Sequence, residues 1–327
     1  MLKKLLFVFF VLSAVSAFAQ DVQTTPQPTP QPTPPTLDTI LNKAAEQSEN
    51  YRETFRDLLA VETKSFESYD KNGGIDESSE VESNFFVYQS SKDGKTSTEL
   101  RNVIKVDGKL VPDSQARADR FLGELQKTKT VEKELEKIQD ESLRYDENFV
   151  IYGMTLYQAI PLFQDIRSFF EFKLAGTENY QGRDVYVVSY RQTRKSPSIT
   201  IDEKKSKVPG IKVDFELNLP GSLKKTEKFL QGKLLIDAET FQLLREEREI
   251  AVQMPTPLVA QKTVFEYVPS KYEIYVPKRI TFTDYNFKKG SNKNNFTTSR
   301  AAQITFNYSE FKRTNVDIEI LDDDGSQ

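Results

Sequence analysis

The stretch "FLQGKLLIDAETFQLLREERE", residues 229–249, reads as two short strands around a turn. Side chains alternate across a strand, so Gly232, Leu234 and Ile236 share one face. Asp237-Ala238-Glu239-Thr240 makes the turn, the return begins at Leu243 or Leu244, and it then carries Arg245, Glu246, Glu247 and Arg248. So many charges so soon after the turn place the outer face of the return strand in water. The inner, apolar side needs a cover.

The same alternation recurs on both sides of this hairpin. Upstream, "SNFFVYQS" (83–90), a turn at Asp93-Gly94 and "TELRNVIKV" (98–106) running into Asp107-Gly108 predict antiparallel strands joined by tight turns. In the second of these, Leu100, Asn102, Ile104 and Val106 share one face and Glu99, Arg101 and Lys105 the other, with the apolar face expected inside. "FEFKLAGTENYQGRDVYVVSYRQT" (170–193) predicts a hairpin closed near Gln181-Gly182, and "GIKVDFELNLPG" (210–221) alternates as a strand. Ile304, Phe306 and Tyr308, then Val316, Ile318 and Ile320, repeat the theme.

Helical spacing is confined to fewer places. Leu37, Ile40, Leu41, Ala44, Tyr51, Phe55, Leu58 and Leu59 form an amphipathic stripe, with Thr36 as N-cap and Asp38 suited to the first turn. Residues 114–147 predict two helices, on Phe121, Leu122 and Leu125 and on Val131, Leu135 and Ile138, and a short helix around 156–166 must tolerate Pro161. Helices are the only elements that can cover the sheet. The expected fold class is α+β: a curved antiparallel sheet, a half-barrel, packed against helices.

With the N-terminal helix feeding strands, "GKLLIDAETFQLLREE" as a Gly-to-Asp hairpin, and "YVPKRITFTDYNF" followed by "YSEFKRTNVDIEI", the chain resembles the LolA/LolB-like lipoprotein-carrier superfamily, in an uncharacterised exported bacterial branch. The resemblance covers about 37–320 and implies a half-barrel closed by helices, a LolA-like fold. The resemblance implies a lipidated protein as a partner. No residue matches the carriers' cavity positions one for one.

The termini set the compartment. Lys3 and Lys4, an apolar run from Leu5 to Val15 and Ala17-Phe18-Ala19 predict a signal peptide over 1–19, too short to span a bilayer. Residues 20–36 alternate proline with small polar residues as an extended tether. A single domain over 37–321, with its helical insertion at 114–147, and an acidic tail over 322–327 complete the division. The expected location is the periplasm or outside the cell.

Composition narrows the chemistry. The chain has no cysteine and no histidine, which removes disulfides, His-based triads, Cys-His pairs and HExxH zinc sites. It has no tryptophan to stack on sugars. Its net charge of -4 becomes -6 without Lys3 and Lys4, which argues against a nucleic-acid partner. No enzymatic activity, cofactor or metal is expected. "YDKNGGIDESSE" (69–80) fails the spacing of a calcium loop, because the sixth and twelfth positions from Asp70 are Ile75 and Val81. It reads as a hairpin loop at Asn72-Gly73.

The leading expectation is a non-catalytic binding protein holding a lipid or other apolar ligand in the concavity of the sheet. Its candidate residues are the inward positions Leu100, Ile104, Leu234, Ile236, Phe282, Ile304 and Phe306. A cell-envelope interaction protein with a packed core, and a hydrolase using carboxylates or a Ser-Lys pair, are the alternatives. Between Arg191 and Lys228 ten basic residues face five acidic ones, an excess of +5 suited to weak contact with an anionic membrane surface.

Overall fold

The computed structural model describes residues 34–56, 58–89, 97–114, 116, 155, 158–202, 213–290 and 296–313. The chain divides into two units, residues 1–35 and 36–327. Outside the described residues fall the expected signal peptide, nearly all of the expected tether, the expected turn at Asp93-Gly94, nearly all of the expected insertion over 114–147, and Val316, Ile318, Ile320 and the expected tail.

Helix α1 (Leu37–Phe55) opens on Thr36, whose hydroxyl accepts the Thr39 N–H at 3.3 Å. Its buried stripe is Ile40, Leu41, Ala44, Ser48, Tyr51 and Phe55. The helix stops earlier than the apolar spacing suggests. Leu58 and Leu59 begin β1 (Leu58–Tyr69), whose buried positions Leu58, Ala60, Glu62 and Lys64 mix apolar and charged side chains and so hide the strand period from the sequence.

The main sheet has eleven strands. With β1 they are β2 (Ile75–Gln89), β3 (Ser97–Val106), β4 (Lys109–Leu110), β5 (Phe170–Tyr180), β6 (Arg183–Gln192), β9 (Lys228–Asp237), β10 (Leu243–Val252), β11 (Leu258–Pro269), β12 (Tyr275–Lys289) and β13 (Phe296–Arg313). Their order is β4-β3-β2-β1-β13-β12-β11-β10-β9-β6-β5, antiparallel throughout and not closed. The expected turn at Gln181-Gly182 holds: Gln181 (φ 52°) and Gly182 (φ 82°) adopt the left-handed conformations that a two-residue hairpin loop needs. In the turn after β9, the Asp237 carboxylate accepts the N–H groups of Glu239 (2.9 Å) and Thr240 (2.8 Å).

One expected strand is much shorter than its alternation suggests. Of 210–221 only β8 (Val213–Phe215) is a strand, paired in parallel with β7 (Ile199–Ile201) outside the main sheet. Leu217 and Leu219 are buried in the core without strand pairing, ahead of a single turn, α3 (Gly221–Lys224). The short helix expected around Pro161 is a 3-10 turn (Ile160–Leu162) followed by α2 (Gln164–Arg167).

Helix α1 lies against one face of the sheet. Phe55 meets Phe85 of β2 (6.3 Å between ring centroids) and Phe311 of β13 (6.2 Å), Tyr51 meets Tyr267 of β11 (6.0 Å), and Lys43 sits over the Phe241 ring, in the loop between β9 and β10 (4.4 Å). Strands far apart in the order thus reach the same helix. The sheet curves around it.

Candidate functional site

In β10 and β3, which side chains face the helix is decided by a β-bulge in each, an extra residue that moves the strand one position out of step. In β10, Leu243 lies opposite Ile236, but Leu244 is extra, so Glu246 faces Leu234 and Arg248 faces Gly232. In β3, the register shifts beside Ile104, so Val106 pairs with Val81 while Val103 and Arg101 pair with Ser83 and Phe85.

The consequence is a correction to the expected inward set. Leu100 and Ile104 do not lie on the helix-covered face next to Phe85; Leu100 pairs with Phe86 on the other face, where it is fully buried, and Ile104 is half-buried at the bulge. The inward positions of β3 are Glu99, Arg101, Val103 and Val106. Leu234, Ile236, Phe282, Ile304 and Phe306 are buried on the helix-covered face as expected. They form two groups: Phe282 and Ile304 are directly opposed with Phe306 beside them, whereas Leu234 and Ile236 lie on β9. The return strand of the opening hairpin is likewise only half wet, because Glu246 and Arg248 are buried.

Two ionic centres therefore stand within the apolar face. In the first, Arg101 donates from Nε to Glu62 Oε1 (2.6 Å) and from Nη2 to Glu62 Oε2 (3.0 Å) and Glu99 Oε2 (3.2 Å). Its guanidinium lies over the rings of Phe85 (5.1 Å) and Phe306 (5.8 Å). Burial pulls the Arg101 pKa down, and the carboxylates of Glu62 and Glu99 outweigh it, so the net shift is upward. Lys64, on the same face, is lowered to about 8, by burial first and the Arg101 charge second, against the pull of Glu62.

In the second centre Arg248 donates from Nε and Nη2 to the two oxygens of Glu246, both at 2.9 Å, and lies over the Phe265 ring at 4.6 Å. Tyr190 Oη donates to Glu246 Oε1 (3.1 Å). Gly232 makes this possible: a Cβ there would meet the Glu247 carbonyl oxygen at 1.9 Å and Tyr190 Oη at 2.7 Å.

One stretch of backbone serves both centres. Thr155 donates from N (2.8 Å) and Oγ1 (2.5 Å) to Glu99 Oε1, and Ala159, held left-handed at φ 48°, donates its N–H to Glu246 Oε2 (2.7 Å). Tyr51 of α1 donates to the Thr155 carbonyl (2.8 Å). Between the centres stands Tyr267, stacked with Phe265 (6.5 Å) and edge-on to Tyr51, its hydroxyl buried with no hydrogen-bond partner among the described residues. Burial and the nearby Glu246 charge raise its pKa well above the usual phenol value, so the group is a neutral donor.

Sequence reasoning missed Glu62, Glu99, Arg101, Glu246, Arg248 and Tyr267 as site residues. A signal existed for two pairs: Glu246 and Arg248, and Glu99 and Arg101, are each an acid and a base two apart in a strand, on one face whichever register holds. Of the basic run from Arg191, several residues already have partners, Arg191 with Gln253 (2.8 Å), Arg194 with the Ser168 carbonyl (2.6 Å) and Lys228 with the Lys224 carbonyl (2.7 Å), while 203–212 lie outside the described residues. The 69–80 loop is a hairpin turn, Asp70 Oδ1 accepting from Asn72 N and Gly74 N at 2.8 Å each. Among the described residues no helix is long and apolar enough to cross a membrane.

The molecule belongs to the class of open, curved antiparallel sheets with helices on one face. Among solved structures it is similar to a domain assigned to outer membrane lipoprotein sorting from Vibrio parahaemolyticus, at 9% identity and a TM-score of 0.38, over 84% of this chain and 94% of that one. A DUF1329 family protein from Desulfovibrio piger is similar at 10% identity and 0.37, over 85% and 93%. A LolA superfamily protein from Nitrosomonas europaea is similar at 12% identity and 0.32, over 86% and 95%. No family model matches the chain, and no curated protein matches it.

Proposed function

We propose that the protein is an exported, non-catalytic binding protein that holds the apolar part of a lipid-like ligand against the helix-covered face of its sheet. The observation that carries this reading is the Tyr267 hydroxyl, buried amid aromatic side chains without an acceptor among the described residues. A buried donor left unpaired costs about 1–3 kcal/mol, so its retention points to an acceptor that arrives from outside the chain. An ester or carboxylate oxygen of an acyl lipid fits, with its chain along Phe282, Ile304 and Phe306 or along Leu234 and Ile236.

Native mass spectrometry and organic extraction of the chain purified from membrane-bearing cells test this. A lipid that co-purifies reproducibly, and that Tyr267→Phe loses while the thermal midpoint is kept, is the expected result. Reproducible absence of lipid overturns it in favour of a second reading, an envelope interaction protein with a packed core. That reading has its own support in the way Tyr51, Phe55, Phe85 and Tyr308 interlock between α1 and the sheet.

A further inference from the structure

Among the described residues the open sheet ends in two edges, and they are protected differently. At one edge lies β4, only two residues long. At the other lies β5, eleven residues, most of them exposed, with no proline. An unpaired edge presents free N–H and C=O groups to any strand that approaches. A bulge between Leu174 and Gly176, with Gly176 at φ 133°, breaks the far half of β5. The near half, Phe170 to Leu174, pairs residue for residue with Gln192 to Val188 of β6 and stays regular.

The side chains of that regular half are arranged symmetrically about Phe172. Phe170, Phe172 and Leu174 lie opposite Gln192, Tyr190 and Val188 on the helix-covered face, and Leu174 is 41% exposed. Glu171 and Lys173 lie opposite Arg191 and Ser189 on the other face, both well exposed and paired with each other at 3.2 Å. A two-fold axis through Phe172, normal to the sheet, sets Glu171 of each copy against Lys173 of the other, Phe170 against Leu174, and Phe172 against itself. Shifting the centre to Glu171 or Lys173 places like charges face to face, which is unfavourable in a cross-strand pair.

We infer that β5 is a self-association edge: two copies of this chain join antiparallel through Phe170–Leu174 in the register centred on Phe172, making one continuous sheet. This is an isologous contact, closed after two copies. Because it spans five residues a side, below the area of a standard interface, the dissociation constant should be on the order of 10–100 µM. The inference is independent of the ligand reading above.

Sedimentation velocity of the full mature chain, from micromolar to millimolar concentration, should show a monomer–dimer equilibrium, with amide exchange at 170–174 slowing as dimer forms. Glu171→Lys and Lys173→Glu each replace two attractive cross-strand pairs by repulsive ones, and each should weaken association about tenfold or more. The double reversal, Glu171→Lys with Lys173→Glu, restores opposite charges and should recover association to within about threefold. Both side chains are exposed, and unchanged thermal midpoints would show that the variants fold. A monomer through millimolar concentration, indifference to the single reversals, or failure of the double reversal to rescue would each overturn the inference.

Discussion

Four consecutive residues of β10 hold two ion pairs of identical composition in opposite surroundings. Arg245 and Glu247 lie on the face away from α1, partly exposed, where Arg245 reaches Glu247 (3.1 Å) and Glu266 (3.0 Å) and Glu247 reaches Lys262 (2.8 Å). Glu246 and Arg248 lie on the helix-covered face, dehydrated, and are held by Tyr190 and Ala159. The contrast separates proximity from consequence. Outside, water replaces whatever a mutation removes; inside, the surviving partner is stranded.

The sharpest way to break the comparison is to strand that partner. Glu246→Ala or Arg248→Met should each destabilise by about 3–5 kcal/mol, read as a lowered urea midpoint. Gly232→Ala should follow at about 2–3 kcal/mol, because its methyl would press on a backbone oxygen that cannot retreat without loss of the β9–β10 ladder. Replacing both partners, Glu246→Leu with Arg248→Met, should cost only about 1–2 kcal/mol, since it removes both buried charges and leaves Tyr190 Oη and the Ala159 N–H unpaired. If the double change costs as much as the single ones, the penalty belongs to lost geometry rather than to a stranded charge. On the wet face, Glu247→Gln should cost less than about 1 kcal/mol, and added salt should shrink that difference further.

The remaining difference is between the two buried centres and appears only in alkali. Burial lowers Lys64 from 10.5 to about 8, so between those values the unfolded chain holds a proton that the folded chain has released. Stability contributed by this group therefore rises with pH through that window. Above about pH 10 the buried tyrosines, whose raised pKa values keep them neutral in the folded state, act in the opposite direction. Urea midpoints measured between pH 7.5 and 10 should rise in the wild type and flatten in Lys64→Met, an experimental window set by the ordinary tyrosine value of about 10.

Much of the fold is legible locally because turns and periods are local. Asp107-Gly108, Gln181-Gly182 and the turn after Asp237 close hairpins where their residues tolerate left-handed backbone or cap it with a carboxylate. Thr36 starts the helix it was expected to start. Strand β1 is hidden because its inward row includes Glu62 and Lys64; the burial of Glu62 is tolerable only with Arg101 of β3 nearby, across β2. The short β8 was over-read because Leu217 and Leu219 bury themselves without pairing, which alternation alone does not distinguish from a strand.

The amino-acid order by itself determined the hairpins, the amphipathic first helix and a chemistry free of imidazole and thiol, since each depends on residues close together or on a simple count. Tertiary structure decided which way each charged strand faces. A single extra residue at Leu244 or near Ile104 exchanges the two sides of a strand, and its position is set by pairing with a neighbouring strand. That pairing turned Glu246, Arg248, Glu99 and Arg101 inward, and turned Leu100 away.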